Sequence, residues 1–573
     1  MFRKWVVLLL ALSAVSRAQF IPFFLDEAQD AATSNSSIAP GSMFIVKGYF
    51  PVADTLRMAS LPLATSLDGV SVTVTPASGG EAISAWMVYT APFSEVSGTQ
   101  IAAILPSTTP PGDYRITLRS GNVVVGPARA RVVERKFRSF SNNQEGSGLA
   151  VLQNWVSESR VDRNMFVEGK LADGQTKGPA RAGQTAILWG LGLGKIAGAD
   201  NVAPSVEDFR AQADIRVTVG GVPATVLYAG RWPGFPGIDQ INFTLPADAP
   251  TGCNVAIQVT VNGSPSNPVT MAIAGPGEDA CRHPYLSREQ LDQLDAGQAF
   301  MAAEFNLGVY VEPSSFNAPL VEIHLANGYF DAMTAGRAST LSPQSVGVGR
   351  CTAWKDWSWL DPTPGDSYDG GRVALTGPNI NNIALDDGDS YYLRIFGARS
   401  DADGRWLDAR RTAQYAPGTY SLKGAGGPTV GAFETAVELP PLMKWTNRDE
   451  IQSVSRGDGF TVTWTGGAAK DQVLIQGYTG TVTRSADGNE TVDLTSFLCA
   501  APQGSTSFTV PVSILGLMAE VTNDGQQSVG GLSVQASSTD ATAKFRAPLV
   551  GGSETGSGTL GYLFMTQKFL PYR

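Results

Sequence analysis

Histidine is almost missing from this chain: His283 and His324 are the two in 573 residues. Catalysis that runs on imidazole, and zinc sites of the His/Cys type, therefore have little to draw on. Neither histidine sits in an H-E-x-x-H run, and no G-x-S-x-G elbow occurs. His283 stands beside Pro284 in a connecting stretch, and His324 alternates with Ile323 and Leu325 as strand residues do, so both read as structural. Charge is also scarce, with 16% charged residues, a net charge of −10 and no run of Lys or Arg. That argues against a nucleic-acid-binding face. Cysteine is limited to Cys253, Cys281, Cys351 and Cys499, with no C-x-x-C pair. Beyond the N-terminus no apolar run is long enough for a membrane-spanning helix.

What is present points to export and to β structure. Arg3 and Lys4 precede an apolar stretch, Trp5 to Val15, and Ser16-Arg17-Ala18 puts small residues at −3 and −1. Residues 1–18 thus have the form of a signal peptide cleaved after Ala18. Four cysteines in an exported chain allow two disulfides in three pairings; Cys281 with Cys351 is favoured because both lie in the third segment. A chain of this length holds roughly three to five domains, and its 63 Gly and 35 Pro suit short strands joined by tight turns.

One pattern is written twice. Gln100-Ile101, Leu105-Pro106, Pro110 and Gly112 recur as Gln240-Ile241, Leu245-Pro246, Pro250 and Gly252, with the same Q-I-x3-L-P-x3-P-x-G spacing. Repetition of this kind marks duplicated structural units. Val70, Val72 and Val74 alternate with polar residues, as do Ile215, Val217 and Val219, the period of half-buried strands. Asn262-Gly263 signals a hairpin turn, and Ser287 with Gln290 has the shape of a capping box opening a helix over Arg288 to Leu294. A further short helix is expected near Ser205 to Ala211. Tyr114 and Tyr420 each follow Pro-Gly by two residues, the place of a tyrosine corner. The expected architecture is all-β, tandem immunoglobulin-like sandwiches with a few short helices. Its units are residues 34–133, 134–275, 276–440 and 441–573.

The two motif copies, the IAPGS opening (Ile38 to Ser42), VTVGGVPATVLYAG (Val217 to Gly230) and PGFPGIDQINFTLP (Pro233 to Pro246) resemble IPT/TIG-like modules. More narrowly, they resemble uncharacterised secreted proteins of soil acidobacteria. The resemblance covers roughly residues 34–275, with a companion region beyond it. It implies an exported bacterial protein, all-β and Ig-like, without assigned chemistry. The first copy departs from the pattern, since Val74-Thr75-Pro76 replaces the G-G-V-P-A turn.

Candidate sites are few. Gly190-Leu191-Gly192-Leu193-Gly194-Lys195 is one residue short of a P-loop and lacks its hydroxyl, so it reads as a turn at a strand edge. Asp386, Asp387 and Asp389, and then Asp401 and Asp403, could gather oxygens around calcium, but no Glu completes an EF-hand loop. Trp354, Trp357 and Trp359 read first as core packing, because aromatics bury large areas, and are otherwise the best candidate platform for sugar rings in the chain. Arg456-Gly457-Asp458 reads as a polar turn. No cofactor is expected. The function expected from these residues is non-catalytic extracellular binding, adhesion or surface structure, with an extracellular protein or polysaccharide as partner. Two alternatives are a carbohydrate-binding accessory protein and a hydrolase whose two carboxylates lie within 276–440.

Overall fold

The computed structural model describes residues 23–573 except 34, 95–97, 314–317, 356–366, 389–390, 401–402, 485–489, 523–527, 539–541 and 552–554. The expected signal peptide lies outside the described residues. The fold is all-β, built of Ig-like sandwiches. In the first unit two five-stranded sheets face each other. The alternation at Val70–Pro76 turns its valines inward, where they meet Phe44, Val46, Met87, Ile101, Ile116 and Leu118 in one core.

The second unit is a thirteen-stranded assembly, eleven strands on one path with two branching from it, bent where Val222–Arg231 changes sheets. That strand pairs with Ile215–Val219 through its first residues and with Asp239–Thr244 through the rest. Its hairpin turn uses Gly220 and Gly221, at φ 57° and 82°. A Cβ on Gly221 would also collide with the backbone of Cys351 in the next unit.

The two motif copies make the same contacts. Val46 pairs with Ile101 in the first unit and Leu188 with Ile241 in the second. Leu105 N–H donates to Ser42 O and its carbonyl accepts from Gly41 N–H. Leu245 does the same with Gln184 O and Gly183 N–H. Gly41 and Gly183 both hold left-handed backbone, φ 73° and 79°, which a Cβ would penalise. The motif is thus a strand, its exit turn and the glycine turn opposite.

Other local signals also form as expected. Tyr114 OH donates to Pro110 O at 2.9 Å and Tyr420 OH to Ala416 O at 3.1 Å, each four residues upstream. The Ser287–Gln290 capping box opens helix α1 (Arg288–Asp295), Phe209–Ala211 forms a 3-10 turn, and Asn262-Gly263 turns with positive φ at both residues.

Beyond residue 295 the expected division at 440 does not hold. A ten-stranded sheet contains β1 (Phe300–Pro313), β2 (Leu320–Met333), β3 (Arg350–Lys355), β4 (Asp386–Gly388), β5 (Tyr391–Ser400), β6 (Gln472–Arg484), β7 (Glu490–Ala500), β8 (Ser528–Ser537) and β9 (Thr555–Phe569). Their order is β3-β7-β6-β8-β9-β1-β2-β5-β4, with Ala543–Pro548 branching from β9. Strand β9 lies parallel to β1, from Ala302↔Ser557 to Val311↔Thr566. A four-stranded and a three-stranded sheet complete the unit. One core spans it, from Met301 to Tyr572, and includes the ring cluster Phe305, Phe330, Tyr392, Phe433 and Phe545.

The disulfides correct the expected Cys281–Cys351 pair. Cys253 bonds Cys281, and Cys351 bonds Cys499. Cys351 and Cys499 are direct cross-strand partners on β3 and β7, and Cys281 follows the second unit closely enough to reach its Gly252–Val261 strand.

Buried charge fastens the junctions. Arg231 and Asp239 are both 0% exposed, with Nε 2.9 Å from Oδ1. The guanidinium also donates to Gly41 O of the first unit and, at 2.7 Å, to Gly194 O, while Asp239 Oδ2 accepts Leu193 N–H at 2.7 Å. Burial pushes the Asp239 carboxyl up and Arg231 works against it. At the next junction Lys177 Nζ meets Asp295 at 2.7 Å and Asp292 at 2.8 Å, bolting α1 to the second unit. Arg231→Met should lower stability by about 3–5 kcal/mol, because it strands a buried carboxylate. Arg231→Met with Asp239→Leu should recover much of that loss in denaturant unfolding. Equal losses in the single and double variants would contradict this account.

Candidate functional site

Strand alternation turns Thr352 and Trp354 to the outward face of the wide sheet, away from its main core. The second unit covers that face here. Trp354 is 1% exposed and packs with Ala256, Leu341, Val346, Leu474, Leu498 and Ala500. It is therefore packed, as its size led one to expect, but at a junction between units, and the carbohydrate-platform candidacy of this position is withdrawn. Trp357 and Trp359 lie outside the described residues.

The acidic turns are occupied by their own neighbours. Arg394 Nη1 donates to both Asp386 oxygens, at 2.9 and 3.1 Å. Asp387 is a residue of β4. Asp403 accepts Arg405 N–H at 3.1 Å, and this bond, with one from Ser400, holds its carboxyl below the ordinary range. Asp389 and Asp401 lie outside the described residues. Among the described residues no three His, Cys, Asp or Glu side chains are grouped to hold a metal.

Both histidines spend Nδ1 on the backbone. His324 is buried, its Nδ1 accepts Tyr415 N–H at 3.2 Å, and its Nε2 lies 2.8 Å from Glu322 Oε1. Arg399 holds the same oxygen at 2.7 Å. Burial raises the Glu322 carboxyl, but the His324 and Arg399 bonds outweigh it and leave it below its usual value. His283 Nδ1 accepts Tyr285 and Leu286 N–H, each at 3.3 Å. A ring nitrogen so engaged is a poor proton acceptor for a substrate.

The glycine run at 190–194 serves the first junction. It supplies the Leu193 N–H and the Gly194 carbonyl that hold the Arg231–Asp239 pair. Arg456-Gly457-Asp458 is a turn closed by Ser455 Oγ on Asp458 Oδ2 at 2.9 Å.

The site that sequence reasoning missed is a cleft of about 1000 Å³ between the second unit and the wide-sheet unit. Its walls include Arg216, Thr218, Val226 and Gln258 from one side and Arg350 and Ile514 from the other. Three arginines at its rim are already paired, Arg210 with Asp208 at 2.6 Å, Arg216 with Asp214 at 2.8 Å and Arg350 with Asp248 at 3.5 Å. Burial raises Asp208, yet Arg210 prevails and its carboxyl sits below the ordinary value. The rim is therefore polar but balanced in charge. Inter-unit clefts are a common place for ligands. No motif marks this one, because its walls come from segments hundreds of residues apart in the chain.

No family model and no curated protein matches the chain. Solved structures are similar to it only distantly. Domains 5–6 of the S-layer protein SbsC are 10% identical, over 44% of this chain and 100% of that one, with TM-score 0.17. The Bacteroides ovatus mixed-linkage glucan utilization locus SGBP-B, in complex with a mixed-linkage heptasaccharide, is 10% identical over 63% of this chain and 77% of that one, with TM-score 0.17. Immunoglobulin domains 1–4 of Sidekick-1 are 9% identical over 96% and 99%, with TM-score 0.11.

Burial, and then the charge of Lys544, push His283 down to about 4 from 6.5. The folded chain keeps it neutral down to that pH, whereas the unfolded chain protonates it below 6.5. Stability should therefore fall as pH drops from 6.5 to 4, by on the order of 2 kcal/mol for this partly exposed group, and this contribution is flat above 6.5. His283→Gln should show a shallower fall in thermal unfolding across that window. An unchanged slope would remove His283 as the cause.

Proposed function

We propose that this chain is an exported, non-catalytic binding protein that presents the cleft between its second unit and its wide-sheet unit to an extracellular ligand. The cleft itself carries the reading: it is large, it draws on two units, and its rim charges are paired in advance. Export is supported by the disulfides, since all four cysteines are bonded and such bonds persist in oxidising compartments. No helix among the described residues is long and apolar enough to cross a membrane. The paired contacts of the two motif copies support reading the first two units as IPT/TIG-like modules of a bacterial surface or secreted protein.

The non-catalytic part rests on the two histidines, each committed to the backbone through Nδ1, and on the lining of two cavities among the described residues. The large one has Asp214 as the single carboxylate in its lining, and a smaller one of about 310 Å³ has Glu145. Hydrolysis by a carboxylate pair needs two. Rigid junctions suit adhesion or surface structure, because they hold the binding cleft at a fixed place along the array.

The chain recovered from an expressing bacterium should begin after Ala18 and show four maleimide-unreactive cysteines before reduction. Ala224→Trp, which fills the cleft wall, should weaken retention of the folded chain on the cell surface or its polymers about tenfold. Free thiols in the native chain, or retention indifferent to Ala224→Trp, would overturn the proposal.

A further inference from the structure

We infer that the outward face of the wide sheet, across β5, β2, β1, β9, β8 and β6, binds an uncharged polysaccharide chain. This surface is distinct from the cleft, and the inference goes beyond the reading above. Residues paired across strands point to the same side, and Phe305, Leu307 and Val309 of β1 point into the core. The alternate residues therefore face outward, in rows such as Ile395–Leu325–Gly308–Leu563 and Ala398–Ile323–Tyr310–Met565–Gln535. Farther along, Tyr478 of β6 pairs with Gly531 of β8, which pairs with Phe569. These side chains keep partial exposure at Ile395, Leu325, Tyr310, Met565, Tyr478 and Phe569.

Two tyrosines on this face lie over glycines. A Cβ on Gly308 would run into Cε2 and Cζ of Tyr310, and one on Gly531 would meet Cζ and the hydroxyl of Tyr478 at 2.5 and 2.7 Å. Each ring thus leans across the sheet instead of standing up from it. The core uses the same device, with Phe305 over Gly328 and Phe545 over Gly558, and there it fills space. On the outward face it lays ring surface toward water, which serves no core. The electron-rich face of such a ring attracts the polarised C–H bonds on the flat side of a sugar.

Amides and hydroxyls surround the rings. Asn327 Nδ2 donates to Tyr391 OH at 3.1 Å, Gln567 Nε2 to Tyr478 OH at 3.3 Å, and Gln535 Nε2 to Gln476 Oε1 at 2.7 Å. Such groups retain further donors and acceptors for sugar hydroxyls. Burial, with Tyr391, Glu312 and Glu304 close by, pushes the Tyr310 hydroxyl up to about 12, so it stays neutral and able to donate.

Charge selects the occupant. Outward charge is mixed: Glu304, Glu312 and Asp331 stand on β1 and β2, Arg337 pairs with Asp331 and lies over the Tyr329 ring, and Lys544 and Arg546 project from the strand Ala543–Pro548 beside Thr559 and Ser557 of β9. Neither sign dominates, so the face offers no field that would draw a polyion of either charge, and an uncharged polyol meets no charge barrier there. The face is bounded by the second unit at Trp354 and Leu498, and by α1, whose Gln290 donates to Ser557 Oγ of β9 at 3.2 Å. Six strands give a strip ~24 Å across, room for several sugar residues.

Affinity electrophoresis of the full chain in gels containing β-glucan, glucomannan, xylan, α-glucan, alginate or heparin tests this. At least one uncharged glycan should retard the chain, and alginate and heparin should not. Tyr310→Ala with Tyr478→Ala should weaken that retardation about tenfold or more, whereas Tyr310→Phe with Tyr478→Phe should keep most of it, and Ala224→Trp in the cleft should leave it unchanged. Should the alanine variant misfold, protection of Tyr310 and Tyr478 from nitration by the retarding glycan, read by mass spectrometry, decides the question in the native chain. No retardation by any uncharged glycan, full retardation of the folded alanine variant, loss caused by Ala224→Trp, or no protection would each overturn the inference.

Discussion

The Arg231–Asp239 pair is the constraint around which the first half of the molecule is organised. Two charges with no exposure owe a large desolvation cost, and their mutual attraction alone does not offset it. The remainder comes from fixed backbone groups: the Gly41 carbonyl of the first unit, and the Gly194 carbonyl and Leu193 N–H of the second. Only one docking of the first unit supplies its share. A hydrophobic junction would tolerate sliding, whereas this one loses a hydrogen bond to a buried charge as soon as it shifts. Around it Ser107 holds Asp200 through both Oγ and N–H, at 2.6 and 2.7 Å, so the angle between the units is set by directional bonds.

The second junction repeats the logic with different parts. Asp295 accepts Phe166 and Val167 N–H at 3.1 and 2.9 Å while holding Lys177. The Cys253–Cys281 bond adds a covalent tie between the second unit and the chain leading to α1. Neighbouring units are therefore fixed to each other at two places along the array, and the cleft and the outward sheet face keep their relative positions.

Features written within a few residues are legible in the amino-acid sequence alone. The tyrosine corners, the capping box, the Asn262-Gly263 turn and the doubled motif depend on local dihedrals and on hydrogen bonds close in sequence. Pairing between distant segments is not legible in this way. Parallel pairing of β9 with β1 joins residues some 255 positions apart, as Ala302 with Ser557, and it erases the expected boundary at 440. Cys351 finds Cys499 for the same reason, through strand register and not spacing. For Trp354 alternation tells which face the side chain takes, but not that the second unit is what covers that face. The cleft walls carry no pattern at all. The tyrosines over Gly308 and Gly531 stand out only as rings and glycines that share a face, which the strand register alone reveals.

The position of β9 also has a temporal meaning. In the order β3-β7-β6-β8-β9-β1-β2-β5-β4 it stands fifth of nine, yet it is synthesised after all the others. Until it arrives, β8 and β1 each offer an open edge and the aromatic core between them lies bare to water. Open edges and exposed cores are the species that aggregate or pair wrongly. The wide-sheet unit therefore cannot fold piecemeal behind the ribosome or an export channel: its assembly waits for its last strand, and the step that closes the sheet is the one that ends its exposure.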